Sequence, residues 1–167
     1  MKQRMTTSKL DIGLTDQQRA GVVEILSQTL SDQHVLYTKT RNYHWNVVGE
    51  HFSELHKLLE EQYEQLAEAI DETAERTRQL GAPALGTMTE FLEHAQLKEQ
   101  PGDYPDAFTM LSNLCADHEA VIQWLRQAAD DCDEKYHDMG TNDFLIGLMQ
   151  DHEKMAWMLR SYLEDRR

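Results

Sequence analysis

Val22, Leu26, Leu30 and Tyr37 recur at helical spacing up to Gly49, behind Thr15-x-x-Gln18, which has the form of a capping box. This pattern predicts a first helix over 16–48. After a short turn, Phe52, Leu55, Leu59, Tyr63, Leu66, Ile70 and Ala74 trace one buried stripe that stops at Leu80-Gly81, a helix stop signal. Thr87-x-x-Glu90 opens a short helix around Phe91 and Leu92, ahead of a loop at Pro101-Gly102-Asp103-Tyr104-Pro105. Two further stripes, Leu111, Leu114, Val121 and Leu125, then Leu145, Leu148, Met155 and Leu159, predict a helix from 106 toward 135 and another from 141 or 142. Four long helices with a brief extra one between the second and third make an all-α four-helix bundle.

At 167 residues the chain fits one domain, read as a bundle over 15–167 behind a flexible tail over 1–14. With only three Pro and eight Gly, and with all three Pro beside Gly81, Gly86 and Gly102 in two loops, long helical stretches remain. The formal charge is −14, and three of the 16 bases (Lys2, Arg4, Lys9) sit in the first ten residues, which leaves 13 bases against 30 acids. The body should therefore repel DNA, and only the tail could attract it. Cys115 and Cys132 fall too far apart on one helix to bridge, and free thiols fit a reducing, cytoplasmic compartment. No secretory leader and no apolar run of membrane-spanning length is visible, so no membrane partner is expected.

The candidate chemistry lies in His44, His56-x-x-x-Glu60 and Asp71-x-x-x-Glu75. Spacing of i,i+4 puts His56 beside Glu60, and Asp71 beside Glu75, on one helix face. The centres of the two pairs lie about 22 Å apart along the helix, whereas a metal ion takes ligands at about 2 Å. One chain therefore carries two half-sites. An antiparallel copy related by a two-fold axis near residue 65 sets His56 opposite Glu75 and Glu60 opposite Asp71, so an isologous dimer closes two equivalent sites. His44 lies as far before residue 50 as His56 lies after it, so a hairpin turning near Gly49 brings the two imidazoles face to face and adds a third ligand. Two imidazoles with three carboxylates suit Fe(II), Mn(II) or Zn(II) rather than Cu(I). Taken singly, each carboxylate reads more readily as part of a solvated face than as a ligand, since this helix carries eight acids; the joint fit to one dyad singles out the set.

Other motifs carry less. The usual di-iron signature of two Glu-x-x-His motifs is absent, and the one match, Glu134-x-x-His137, falls where the third long helix should end. His34, His51, His94 and His118 have no evident partners and are expected to be solvated or capping. A short echo, Asp117-His118-Glu119 and Asp151-His152-Glu153, each followed by Trp and Leu-Arg, reads as weak similarity between two amphipathic helices.

The run Asn42-Tyr43-His44-Trp45-Asn46-Val47-x-Gly49-x-x-Phe52-x-x-Leu55-His56, with Ile70-Asp71-Glu72-x-Ala74-Glu75-Arg76 and Leu80-Gly81, resembles the Dps family of mini-ferritins. More weakly, the likeness reaches Thr141-Asn142-Asp143 and Trp157. The resemblance implies a ferritin-like bundle assembled into a hollow, tetrahedrally symmetric dodecamer, with ferroxidase sites at two-fold interfaces and ferric mineral stored in the cavity. It implies that His44, His56 and Glu60 come from one subunit and Asp71 and Glu75 from its mate. The family has Asp at position 60 in many members, so Glu60 is a longer arm. Trp45 resembles a tryptophan beside the family's site, either an oxidisable ring or a packing residue. Iron as Fe(II) would be oxidised by hydrogen peroxide in preference to dioxygen. Asp143 and Glu153 match pore positions, and Glu61, Glu64 and Glu68 are candidates for mineral nucleation. DNA condensation, which gives the family its name, is the rival function; here it would rest on three tail cations multiplied over twelve subunits and would weaken steeply with salt.

Overall fold

The computed structural model describes residues 10–164; the tail cations Lys2, Arg4 and Lys9 lie outside them. Helix α1 (Asp16–Asn46) starts at the capping box, where the Thr15 hydroxyl accepts the Gln18 backbone N–H at 3.2 Å and the Gln18 carboxamide accepts that of Thr15 at 2.8 Å. It ends two residues before the expected 48, because Val47 turns extended and Gly49 takes φ +118°, a conformation side chains disfavour. Helix α2 (Phe52–Gln79) returns antiparallel along α1. A second capping box, Thr87 with Glu90, opens the short α3 (Met88–His94). Helix α4 (Ala107–Asp130) is capped by Asp106, whose carboxylate accepts the Thr109 N–H at 3.0 Å, and α5 (Met139–Glu164) packs back along it. The expected all-α bundle of four long helices with a short one between the second and third is the fold observed.

Two further boundaries differ from the sequence reading. The last turn of the third long helix, Asp131–Lys135, is π-helical, and the chain leaves it through His137 at φ +55°, with the Asp138 N–H bonded to the Cys132 carbonyl at 2.8 Å. The last helix starts at Met139 rather than 141 or 142, because the Asp138 carboxylate accepts the Thr141 N–H at 3.0 Å. Arg76 from α2 holds that cap, donating to Asp138 at 3.2 Å and to the Thr141 hydroxyl at 3.0 Å.

Leu26, Leu36, Leu59, Leu66, Leu114, Leu125, Leu145 and Leu159 form the centre of the core. Helix α1 is buried on several faces, so its inner polar side chains need internal partners. The hydroxyls of Thr29, Ser31 and Thr40 donate to the carbonyls four residues earlier, at 2.9, 2.7 and 2.8 Å. Asp32 pins the long link between α2 and α4: its carboxylate accepts the N–H groups of Gln96 and Leu97 at 2.7 and 2.9 Å. Burial pushes that carboxyl above its ordinary value while these bonds pull it down. His34, half-buried, stacks on Phe91 at 3.7 Å between ring centroids and fixes α3 against α1. Among the described residues, no helix is long and apolar enough to cross a membrane.

Candidate metal centre

The turn at Gly49 brings His44, near the end of α1, against His56, near the start of α2. Their rings stack with centroids 3.7 Å apart and planes 20° from parallel. The His44 Nδ1 lies 2.7 Å from the His56 carbonyl oxygen, and the His56 Nδ1 lies 2.9 Å from that of His44. A carbonyl only accepts, so each Nδ1 carries the proton and donates. In a neutral imidazole that tautomer leaves Nε2 with a free lone pair. Both rings are thus oriented through Nδ1 and present Nε2 as a ligand atom, the arrangement common to metal-binding histidines.

Glu60, one turn beyond His56, is partly buried. Tyr63 stands edge-on to His44 at 5.2 Å, and loss of solvent together with the charges of Glu60 and Glu64 raises its phenol above the ordinary value. Arg41 lies among three rings, 4.8 Å from the centre of Trp45 and 5.5 Å from those of Tyr37 and Tyr63, and donates to the Tyr37 hydroxyl at 3.1 Å. Trp45, next to His44 in the chain, is 62% exposed and not in the core. Sequence reasoning placed Tyr37 and Tyr63 on the apolar stripes but did not connect them, or Arg41, with the histidine pair, although the two tyrosines are each seven residues from His44 and His56, on opposite sides of the same hairpin.

Asp71 and Glu75 lie further along α2, both exposed, and do not meet the histidines within one chain. Among the described residues no three His, Cys, Asp or Glu side chains converge on a metal position. The end of α2 that carries Asp71 and Glu75 is fixed by Arg76, which joins it to Asp138 and Thr141. Asp143 is exposed on the first turns of α5, and Glu153 accepts from Arg126 at 2.9 Å. Glu61, Glu64 and Glu68 are exposed, as are Glu134 and His137.

The remaining histidines divide. His51 is exposed and makes no capping bond, standing 3.5 Å from the Glu54 carboxylate; His94 Nδ1 lies 2.9 Å from the Glu90 carbonyl oxygen. His118, expected to be solvated or capping, is instead fully buried, with its Nδ1 2.9 Å from that of His152. The echo between the third and fourth long helices is therefore structural. It places His118 against His152 and pairs Glu119 with Arg160 at 2.7 Å and Glu153 with Arg126, a local pseudo-two-fold arrangement between antiparallel α4 and α5. The signal was present in the sequence: each histidine occupies a stripe position, four residues after Leu114 or Leu148 and three before Val121 or Met155. Burial lowers the basicity of both, that of His152 to about 4.

A ferritin-like domain family matches residues 23–167. An uncharacterized low temperature-induced protein of Nostoc sp. is 51% identical over 156 residues, covering 93% of this chain and 87% of its own length. The DNA protection during starvation protein 2 of Bacillus anthracis is 36% identical over 143 residues, covering 85% of this chain and 96% of its own. Among solved structures, DpsC from Streptomyces coelicolor superposes with a TM-score of 0.90 at 31% identity, covering 95% of this chain and 92% of that one. The Vibrio cholerae protein described as a Dps member of the ferritin-like diiron-carboxylate superfamily gives 0.85 at 32%, covering 96% and 99%.

Proposed function

The chain belongs to the Dps family of ferritin-like proteins, and from that membership together with its two half-sites we propose that it oxidises Fe(II) and stores the ferric product. The observation that carries the reading is the reciprocal bonding of His44 and His56, which commits both Nδ1 atoms to carbonyls and leaves the two Nε2 atoms as the available ligand nitrogens at one end of α2, with Asp71 and Glu75 at the other. A two-fold partner packed antiparallel on α2 completes each site, with His44, His56 and Glu60 from one subunit and Asp71 and Glu75 from its mate. Twelve such subunits form a hollow cage, Asp143 and Glu153 line an acidic entry, and Glu61, Glu64 and Glu68 supply mineral-nucleating carboxylates. The buried free thiols of Cys115 and Cys132 suit a reducing cytoplasm.

Iron is the substrate. Two Fe(II) ions give up one electron each, and these break the O–O bond of one hydrogen peroxide. Hydrolysis of the two ferric ions to oxyhydroxide with two further waters releases four protons. The imidazoles contribute rigid nitrogen ligation, because each Nδ1 is already committed to a carbonyl. Glu60, Asp71 and Glu75 contribute negative charge, which favours the harder ferric product. Trp45 stands beside the site as an oxidisable ring whose face Arg41 covers, and Tyr63 remains protonated next to His44.

Replacing His56 or Asp71 with Ala is expected to abolish the fast phase of peroxide-dependent Fe(II) oxidation, followed by ferric absorbance in stopped flow, while the assembly keeps its size. Unchanged rates in both variants would overturn the site assignment. A second reading, DNA condensation, draws on the relatives named for DNA protection. It competes against a net charge of −14, and gel-shift titration at moderate salt with and without the first ten residues separates the two: tail-dependent retardation would support it.

A further inference from the structure

Tyr37, Arg41 and Trp45 follow one another at steps of four residues on α1, so their side chains share one helix face, and Tyr63 reaches them from α2. The Arg41 guanidinium carbon stands 4.8 Å from the centre of the Trp45 ring and 5.5 Å from those of Tyr37 and Tyr63. Although the chain holds 30 acids, Arg41 makes no ion pair among the described residues. Its Nη1 donates to the Tyr37 hydroxyl at 3.1 Å, and its Nε is buried without a hydrogen-bond partner. The charge of this arginine is thus directed at rings rather than at a carboxylate.

A cation over an aromatic ring is attracted by the electrons of its face. When the ring gives up an electron it becomes a cation itself, and the attraction turns to repulsion. The contact therefore stabilises the reduced ring and opposes its oxidation. The effect centres on Trp45, which has the shortest of the three contacts; Tyr63 also feels Glu60 and Glu64, whose negative charges act the other way. The cluster borders the histidine half-site, since Trp45 follows His44 in the chain and Tyr63 stands edge-on to His44 at 5.2 Å. Peroxide needs two electrons to become two hydroxides. Where only one Fe(II) is at hand, the second can come from an indole: peroxide, Fe(II) and Trp45 then give Fe(III), two hydroxides and an indole radical cation, which loses its N–H proton to water.

We propose that Arg41 is a redox-tuning residue, which protects Trp45 from one-electron oxidation and so holds peroxide to the route in which both electrons come from iron. Arg41 acts through the ring and touches neither iron nor peroxide. The link to peroxide rests on the interfacial ferroxidase reading, whereas the tuning is a property of the ring cluster alone. The chain carries its own reference, because Trp157 is 60% exposed against 62% for Trp45 and no cation stands over its ring among the described residues. Trp124 reports on the fold, being partly buried and bonded through its indole N–H to the Thr29 hydroxyl at 3.1 Å.

Azide radical is the probe: it is neutral, takes one electron from an indole and becomes azide, and it acts on chelator-treated protein without iron. Mass spectrometry then reads the ratio of Trp45 to Trp157 oxidation. Arg41→Gln should raise that ratio roughly two- to fivefold, the factor that an exposed cation–π contact is worth. Arg41→Lys keeps the charge and should stay below Arg41→Gln. An unchanged ratio in Arg41→Gln, or an equal rise in both variants, overturns the tuning. So does a rise at Trp124 that matches the one at Trp45, because the helix would then have loosened. In a second arm, peroxide is added with too few Fe(II) ions to pair, and Arg41→Gln should again show the higher ratio. If it does not, while the azide result stands, the link to peroxide falls and the tuning survives. Loss of fast iron oxidation in His56→Ala or Asp71→Ala bears on the interfacial reading and leaves the azide result untouched.

Discussion

Cys132 illustrates how a single residue's environment sets its chemistry. The side chain is completely buried at the π-helical turn, and desolvation, with Asp138 and Asp131 nearby, pushes its thiol up to about 12. Since the thiolate is the nucleophile, at pH 8 only roughly one molecule in ten thousand is reactive, about a thousandfold less than for an ordinary thiol. Burial also raises Cys115, with the carboxylate of Glu119 acting in the same direction. The native protein should therefore resist alkylation by iodoacetamide at pH 8 at both positions, with full labelling after denaturation. Rapid native labelling of Cys132, read by mass spectrometry, would show that the π-turn opens readily. The sequence revealed two free thiols but not how inert they are, because that depends first on how deeply the packed helices bury them and then, for Cys132, on Asp138, which reaches it only once the chain has turned through His137. His118 was obscured for a related reason: a histidine on an apolar stripe is read by its own polarity until the helix that faces it is known.

At the scale of elements, legibility followed locality. The Thr15–Gln18 and Thr87–Glu90 capping boxes involve residues three apart, and both stand where the sequence placed them. The start of α5 was misplaced because its cap, Asp138, is held by Arg76 from another helix. The seam between α1 and the π-turn was hidden too. Gly21 lies within α1, where Ala is ordinarily better by about 1 kcal/mol. A Cβ at that position would stand 2.1 Å from the Tyr136 ring, so the tyrosine must move or α1 must shift. Overpacking of this kind costs about 1–3 kcal/mol, which outweighs the propensity gain and sets the sign. Gly21→Ala should lower the thermal unfolding midpoint, and adding Tyr136→Ala, which removes the clashing ring, should make the same glycine replacement neutral or stabilising. If Gly21→Ala raised the midpoint in the otherwise unaltered protein, helix propensity would be the governing term there and the close approach irrelevant.

At the scale of the whole molecule, the decisive feature is a separation: the His44–His56 pair and the Asp71–Glu75 pair, the two proposed half-sites, lie toward opposite ends of α2. Arithmetic on the sequence was enough to say that one chain could not unite them, because helical rise is a constant of the backbone. What pairs with what across subunits is a property of the assembly, and it makes a prediction that no intrasubunit site would share. In a mixed two-fold dimer of one His56→Ala subunit and one Asp71→Ala subunit, one site loses both ligands and the other keeps every ligand. Either variant alone should be inactive, since each of its sites would lack a group. Dissociating the two variants, mixing them in equal amounts and reassembling makes half the dimers mixed, with one intact site in two, so about a quarter of wild-type fast oxidation should return. Reassembling each variant separately should return none. Recovery near a quarter identifies a site shared by two chains. Its absence in a mixture shown by mass spectrometry to contain mixed dimers would mean that His56 and Asp71 act within the same site of one chain or in no common site, and the interfacial ferroxidase reading would fall.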